Sequence, residues 1–130
     1  MKMTVIAAAL GCAMLSSPVN AQTGEPLSVL ELYMDCVPVE HHYAQGLREA
    51  RDAGICIGYI QGVADAAVGV DTSICVPDET TSEDLVRSFM RFTKARLHIA
   101  ADAVPPAPAY QNAVLGVAFA LRQAYPCTHT

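Results

Sequence analysis

The sequence predicts an all-α protein, a small helical bundle of four main helices with two disulfides. Three observations predict it. Apolar side chains recur three and four residues apart wherever a segment is long enough to judge. No stretch of useful length alternates apolar and polar residues as a half-buried strand does. Once a leader is set aside, four of the five cysteines remain, an even number of the kind that staples small exported domains. The chain is 52% hydrophobic and only 16% charged, which suits a packed core and not a disordered tail.

The leader is removed before any fold is read. Lys2 precedes an uncharged apolar run, Thr4 to Leu15, which Ser16, Ser17 and Pro18 break. Val19-Asn20-Ala21 puts small residues at a cleavage position, so residues 1–21 read as a signal peptide cut after Ala21. The run is too short to span a bilayer, which takes roughly 20 apolar residues. Leu10-Gly11-Cys12 partly resembles a lipoprotein-processing site, but Ala9 and the short apolar stretch before it fit that pattern poorly. Residues 22–130, 109 in all, suffice for one domain and are too few for two. Losing Lys2 takes the formal charge from -5 to -6. An acidic exported protein is a poor candidate for nucleic acid or anionic lipid. No other segment is read as long and apolar enough to cross a membrane, so the mature form is expected to be soluble and periplasmic.

The elements follow in order. Pro26 suits a first helical turn, with Leu27, Leu30, Tyr33, Met34 and Val37 at helical intervals and Pro38 as the expected end. Residues 40–53 are polar and are left open between helix and loop, and Gly54 is expected to interrupt them. Cys56 to Val70 is the most apolar stretch of the mature chain. Gly58, Gln61, Gly62, Asp65 and Gly69 share one arc of its helical wheel, opposite Cys56, Ile60, Val63, Ala67 and Val70. That pattern predicts a central helix buried around most of its circumference. Glycine costs roughly 1 kcal/mol against alanine in a helix. The four-residue spacing of Gly58, Gly62 and Ala66 therefore points to a close backbone approach, in the core or across a homodimer contact.

Thr80 or Thr81, with Glu83 or Asp84, can form a capping box for the third helix. Leu85, Val86, Phe89, Phe92 and Leu97 make its core side. Arg87, Arg91, Lys94 and His98 form a basic stripe opposite. Acidic residues early and basic residues late both suit the helix dipole, which accounts for a solvated face. Yet four of the seven Lys and Arg residues left after the leader fall within 87–96, so Arg87, Arg91 and Lys94 are also the candidate electrostatic contact. Pro105, Pro106 and Pro108 form a rigid connector to a last helix, about Ala109 to Ala124, with Ala113, Val114, Val117, Ala118 and Leu121 buried and Pro126 as its stop.

Four cysteines allow three pairings. In an up-down bundle the end of the first helix meets the start of the next long one, and the ends of the second and fourth helices meet at the other pole. Cys36–Cys56 and Cys75–Cys127 are the expected bridges. No cysteine pair has the short spacing of a structural zinc site, and no metal or cofactor is expected. Nucleophile-elbow, phosphate-loop and paired-histidine motifs are absent. Adjacent His41 and His42 point about 100° apart on a helix, His129 falls in the tail, and Asp65 reads as bonding within the polar strip. No catalytic residue is assigned, and an enzyme is the weakest of the readings.

Cys56-Ile57-Gly58-Tyr59-Ile60-Gln61-Gly62-Val63-Ala64-Asp65, then Cys75-Val76-Pro77, then Ala124-Tyr125-Pro126-Cys127, resembles the Rap/Tai immunity proteins over roughly Leu30 to Cys127. The stretch between Cys36 and Cys56 is expanded relative to that family, and the proline-rich connector departs from it. The motif positions read mostly as core and disulfide. The resemblance implies a helical periplasmic protein, often dimeric, that occludes a peptidoglycan-cutting amidase effector of type VI secretion and so protects producer and kin. It transfers no effector-contacting position. A second reading from composition is an acid-stress chaperone or envelope housekeeping protein of similar helical design.

Overall fold

The chain enters its first helix, α1 (Val29–Glu40), through a reciprocal cap. The Ser28 hydroxyl accepts from the Glu31 N–H at 3.2 Å, and the Glu31 carboxylate accepts from the Ser28 N–H at 2.9 Å. Pro26 lies in the approach to the helix and not in its first turn. Pro38 does not end α1 either; its ring is buried in the last turn. The helix closes two residues later, where His41 and His42 donate to Val37 and Val39 at 3.2 and 3.3 Å and His42 turns left-handed at φ 54°. The inward stripe is Val29, Leu32 and Cys36, while Leu30 and Met34 face solvent. The half-cystine sets that rotation, because it must face its partner on the next helix.

The computed structural model describes residues 25–42, 46–101 and 111–128, the side chains of 97–101 excepted. The expected leader, the proline connector, Leu97, His98 and His129 lie outside the residues so described. The remaining helices are α2 (Leu47–Val70), α3 (Ser82–Ala101) and α4 (Ala113–Ala124). Among the described residues there is no strand, only a bridge pair between Ile74 and Pro126.

α2 runs 24 residues straight through Gly54, so the latter part of the open 40–53 segment is helix. α2 contacts α1, α3 and α4, with α1 its most extensive neighbour. Those contacts and the tether at Cys56 offset what the glycines cost. Burial is narrower than its apolar sequence implies: Cys56, Ile60 and Ala64 are buried, Val63 and Ala67 half-buried. Val70 is 86% exposed. By length and composition α2 is also a helix that could cross a membrane, contrary to the expectation that no segment after the leader would.

The core gathers Leu32 from α1, Ile60 from α2, Phe89 and Met90 from α3, and Val117 and Leu121 from α4, all at 0% exposure. On α3, Met90 and Thr93 take inward places, and Phe92 is only half-buried. Thr81 and Asp84 form the capping box that starts α3, with bonds of 3.1 and 3.2 Å. α4 begins at Ala113 because extended Asn112 caps it, accepting from the Val114 N–H at 2.9 Å. Its inward face is Ala113, Gly116, Val117, Ala120 and Leu121; Val114 is exposed and Ala118 half-buried.

Both expected disulfides are present, with Cα–Cα distances of 5.0 Å for Cys36–Cys56 and 4.9 Å for Cys75–Cys127. The second bridge sits in a short antiparallel pairing, where Cys75 donates to the Tyr125 carbonyl at 2.9 Å and Cys127 to the Ser73 carbonyl at 3.1 Å. Beside it Arg122 of α4 donates to Asp71 and Ser73, latching the end of α2 to α4. Hydrogen bonds from Ser73 and then from Arg122 hold the Asp71 carboxyl down to about 2. A carboxylate depressed in the folded state stabilises fully above its unfolded value of roughly 4, and that stabilisation is lost as pH falls through the folded value. Urea titrations of wild type and Asp71→Asn should therefore differ most at neutral pH and converge as pH falls from about 4 toward 2. A gap that stayed constant over that range would show that the latch does not act through charge.

Candidate partner-binding surface

The capping box at Thr81 directs the start of α3, and from there its helical spacing carries Arg87, Arg91 and Lys94 along one exposed face. The fold does not treat the three alike. Arg87 is spent locally: its guanidinium meets Asp84 Oδ1 at 2.9 Å and Glu83 Oε1 at 3.5 Å. Lys94 reaches across to the end of α1, where its ammonium donates to both Glu40 oxygens at 2.6 and 2.8 Å. That hydrogen bonding raises the Lys94 pKa. Lys94 thus acts as a strut between helices. Exposed Arg91 has no ion pair or hydrogen bond to any described residue.

Arg87 and Arg91 are brought together at one cleft of about 440 Å³, where the start of α3 meets the chain after α4. Pro77, Ser88 and Tyr125 complete its walls, with the Ser88 hydroxyl 3.3 Å from the Tyr125 hydroxyl. Glu79 and Asp84 also border it. A cleft with one uncommitted guanidinium, a phenol and a hydroxyl can hydrogen-bond a carboxylate or a backbone carbonyl of another protein. Tyr125 was legible as part of the closing Ala124–Cys127 string, but its place beside Arg91 depends on the second disulfide and cannot be read from spacing. Glu40 was missed because its partner lies 54 residues away.

The face continues toward the end of α1, where His42 Nε2 lies 3.6 Å from Glu83 Oε1. Among the described residues no group of three His, Cys, Asp or Glu side chains is placed to hold a metal ion. Asp65 is exposed on α2, as are Gly58, Gln61 and Gly62 of the same motif. The polar arc expected for Gln61 and Asp65 is thus at the surface, and Gly58 and Gly62 lie there too, although the motif was read as mostly core.

The fold is thus a four-helix bundle closed by two disulfides, with a charged cleft beside the start of α3. The model of the family described as Rap1a immunity proteins matches residues 28–127, and the chain belongs to that family. No curated protein and no solved structure matches it. An immunity role, and with it the binding of a cognate effector protein, follows from the family. The disulfides and the family are consistent with an exported protein.

Proposed function

We propose that this protein is a periplasmic immunity protein that binds and occludes a type VI secretion amidase effector, sparing the producer and its kin from peptidoglycan cleavage. It is exported through residues 1–21, folds as one domain over 22–130, acts by binding without chemistry of its own, and works as a homodimer. The single observation that carries the reading is the family match across residues 28–127. The α3 cleft supports a place for the contact, since Arg91 there is exposed and uncommitted.

Charge reversal tests the contact. A variant with Arg87→Glu, Arg91→Glu and Lys94→Glu should bind the effector at least about tenfold more weakly, or about 1.4 kcal/mol. Most of the loss should appear with Arg91→Glu alone, because the other two cations are already paired within the chain. Unchanged affinity for the triple variant removes this face from the interface.

A further inference from the structure

Four glycines on α2 meet nothing. A side-chain carbon built at Gly54, Gly58, Gly62 or Gly69 would find no atom within 4 Å, so packing within the chain does not require glycine at any of them. Each still costs roughly 1 kcal/mol against alanine in a helix. Gly58 and Gly62, with Ala66 and Val70, line one bank of an apolar groove of about 610 Å³ whose other bank carries Val114 and Ala118 of α4. Leu47 and Val70, at opposite ends of α2, are 93% and 86% exposed. The groove, with Val70 in its wall, lies open, and the glycine line beside it, with Leu47 at its far end, is an unpartnered helix face.

The charges on that face say what covers it. Arg51 and Asp65 are both exposed, and each stands seven residues from Gly58, on opposite sides of it. Seven residues are close to two helical turns, so the three lie on nearly one line, with the charges about 10 Å either side of the glycine. A second copy of α2 laid antiparallel about a two-fold axis through Gly58 sets Arg51 of each chain against Asp65 of the other. The same register sets Gly54 against Gly62 and Leu47 against Gly69. A two-fold interface must complement itself, and this face does so in charge and in shape together. Asp65 has no partner among the described residues, and Arg51 acts on Asp35 through charge alone.

We propose that α2 is the homodimer interface, packed antiparallel on its own copy through Gly54, Gly58 and Gly62 and clamped by two Arg51–Asp65 ion pairs. The inference rests on the dimeric reading above and not on the effector. Sedimentation velocity on wild type, Arg51→Glu, Asp65→Arg and the double exchange tests it. Each single reversal is expected to weaken the dimer at least about tenfold by setting like charges together, and the double exchange to restore it. Gly58→Cys should also form a covalent dimer on mild oxidation, because the axis brings that position onto itself. A wild-type dimer that ignores both single reversals and leaves Gly58→Cys uncrosslinked overturns this interface while the dimer stands. A wild type that stays monomeric at the highest attainable concentration overturns both, and leaves effector binding to its own assay.

Discussion

Replacing Cys36 and Cys56 together by alanine is expected to cost this protein about 4 kcal/mol. The bridge closes a loop of 20 residues, and releasing it returns roughly 3 kcal/mol of entropy to the unfolded chain. Both half-cystines are wholly buried between α1 and α2, so removing two sulfurs adds about 1 kcal/mol of lost packing. A domain of this size is stable by only about 5–15 kcal/mol. Denaturant titration should show a much lower midpoint, with a slope that rises somewhat because the unfolded chain loses a cross-link. A midpoint within about 1 kcal/mol of wild type would mean that the α1–α2 contact needs no tether.

Phe89→Ala is expected to cost about 3–5 kcal/mol. Phe89 is a large side chain at 0% exposure in the cluster that all four helices feed, so truncation leaves a cavity that well-packed neighbours fill only partly. Phe119 makes the matched control. It sits on the outer face of α4 at 42% exposure, with the Arg122 guanidinium 5.6 Å from its ring, where a similar change should cost about 1 kcal/mol or less. Equal losses at the two positions would contradict the placement of the core.

How far these features could be read from sequence depends on what sets each one. The disulfide pairing was legible from helix order, although α2 starts at Leu47 and Cys56 stands inside the helix and not at the start where the expectation placed it. The α3 capping box was legible because its partners lie three residues apart. The rotation of α1 was not: Leu30 and Met34 looked inward by hydropathy, but the tethered Cys36 turns Val29 and Leu32 in instead. Gly54 and Pro38 were read as breaks on local propensity, and tertiary packing overrode both. The apolar stretch after Cys56 implied burial around most of its circumference, although only one narrow face finds neighbours in the chain.

The candidate site divides along the same line. Arg87, Arg91 and Lys94 could be placed on one face from helical spacing. Which of them is free could not, because Glu40 reaches Lys94 only when the end of α1 is brought beside α3. The close backbone approach expected at Gly58 and Gly62 does not occur within the chain. Intrachain spacing could not say that the surface left open there is matched in charge to itself.

On the proposed function, a disulfide-closed helical bundle disarms a peptidoglycan-cutting enzyme by covering it. The most direct measurement is the cleavage rate of a purified cognate amidase effector as the folded, oxidised chain is titrated in. The rate should fall to background once chains match active sites, and Arg91→Glu should shift that titration to at least about tenfold higher concentration. A rate that holds steady under a stoichiometric excess of the folded chain would contradict the account.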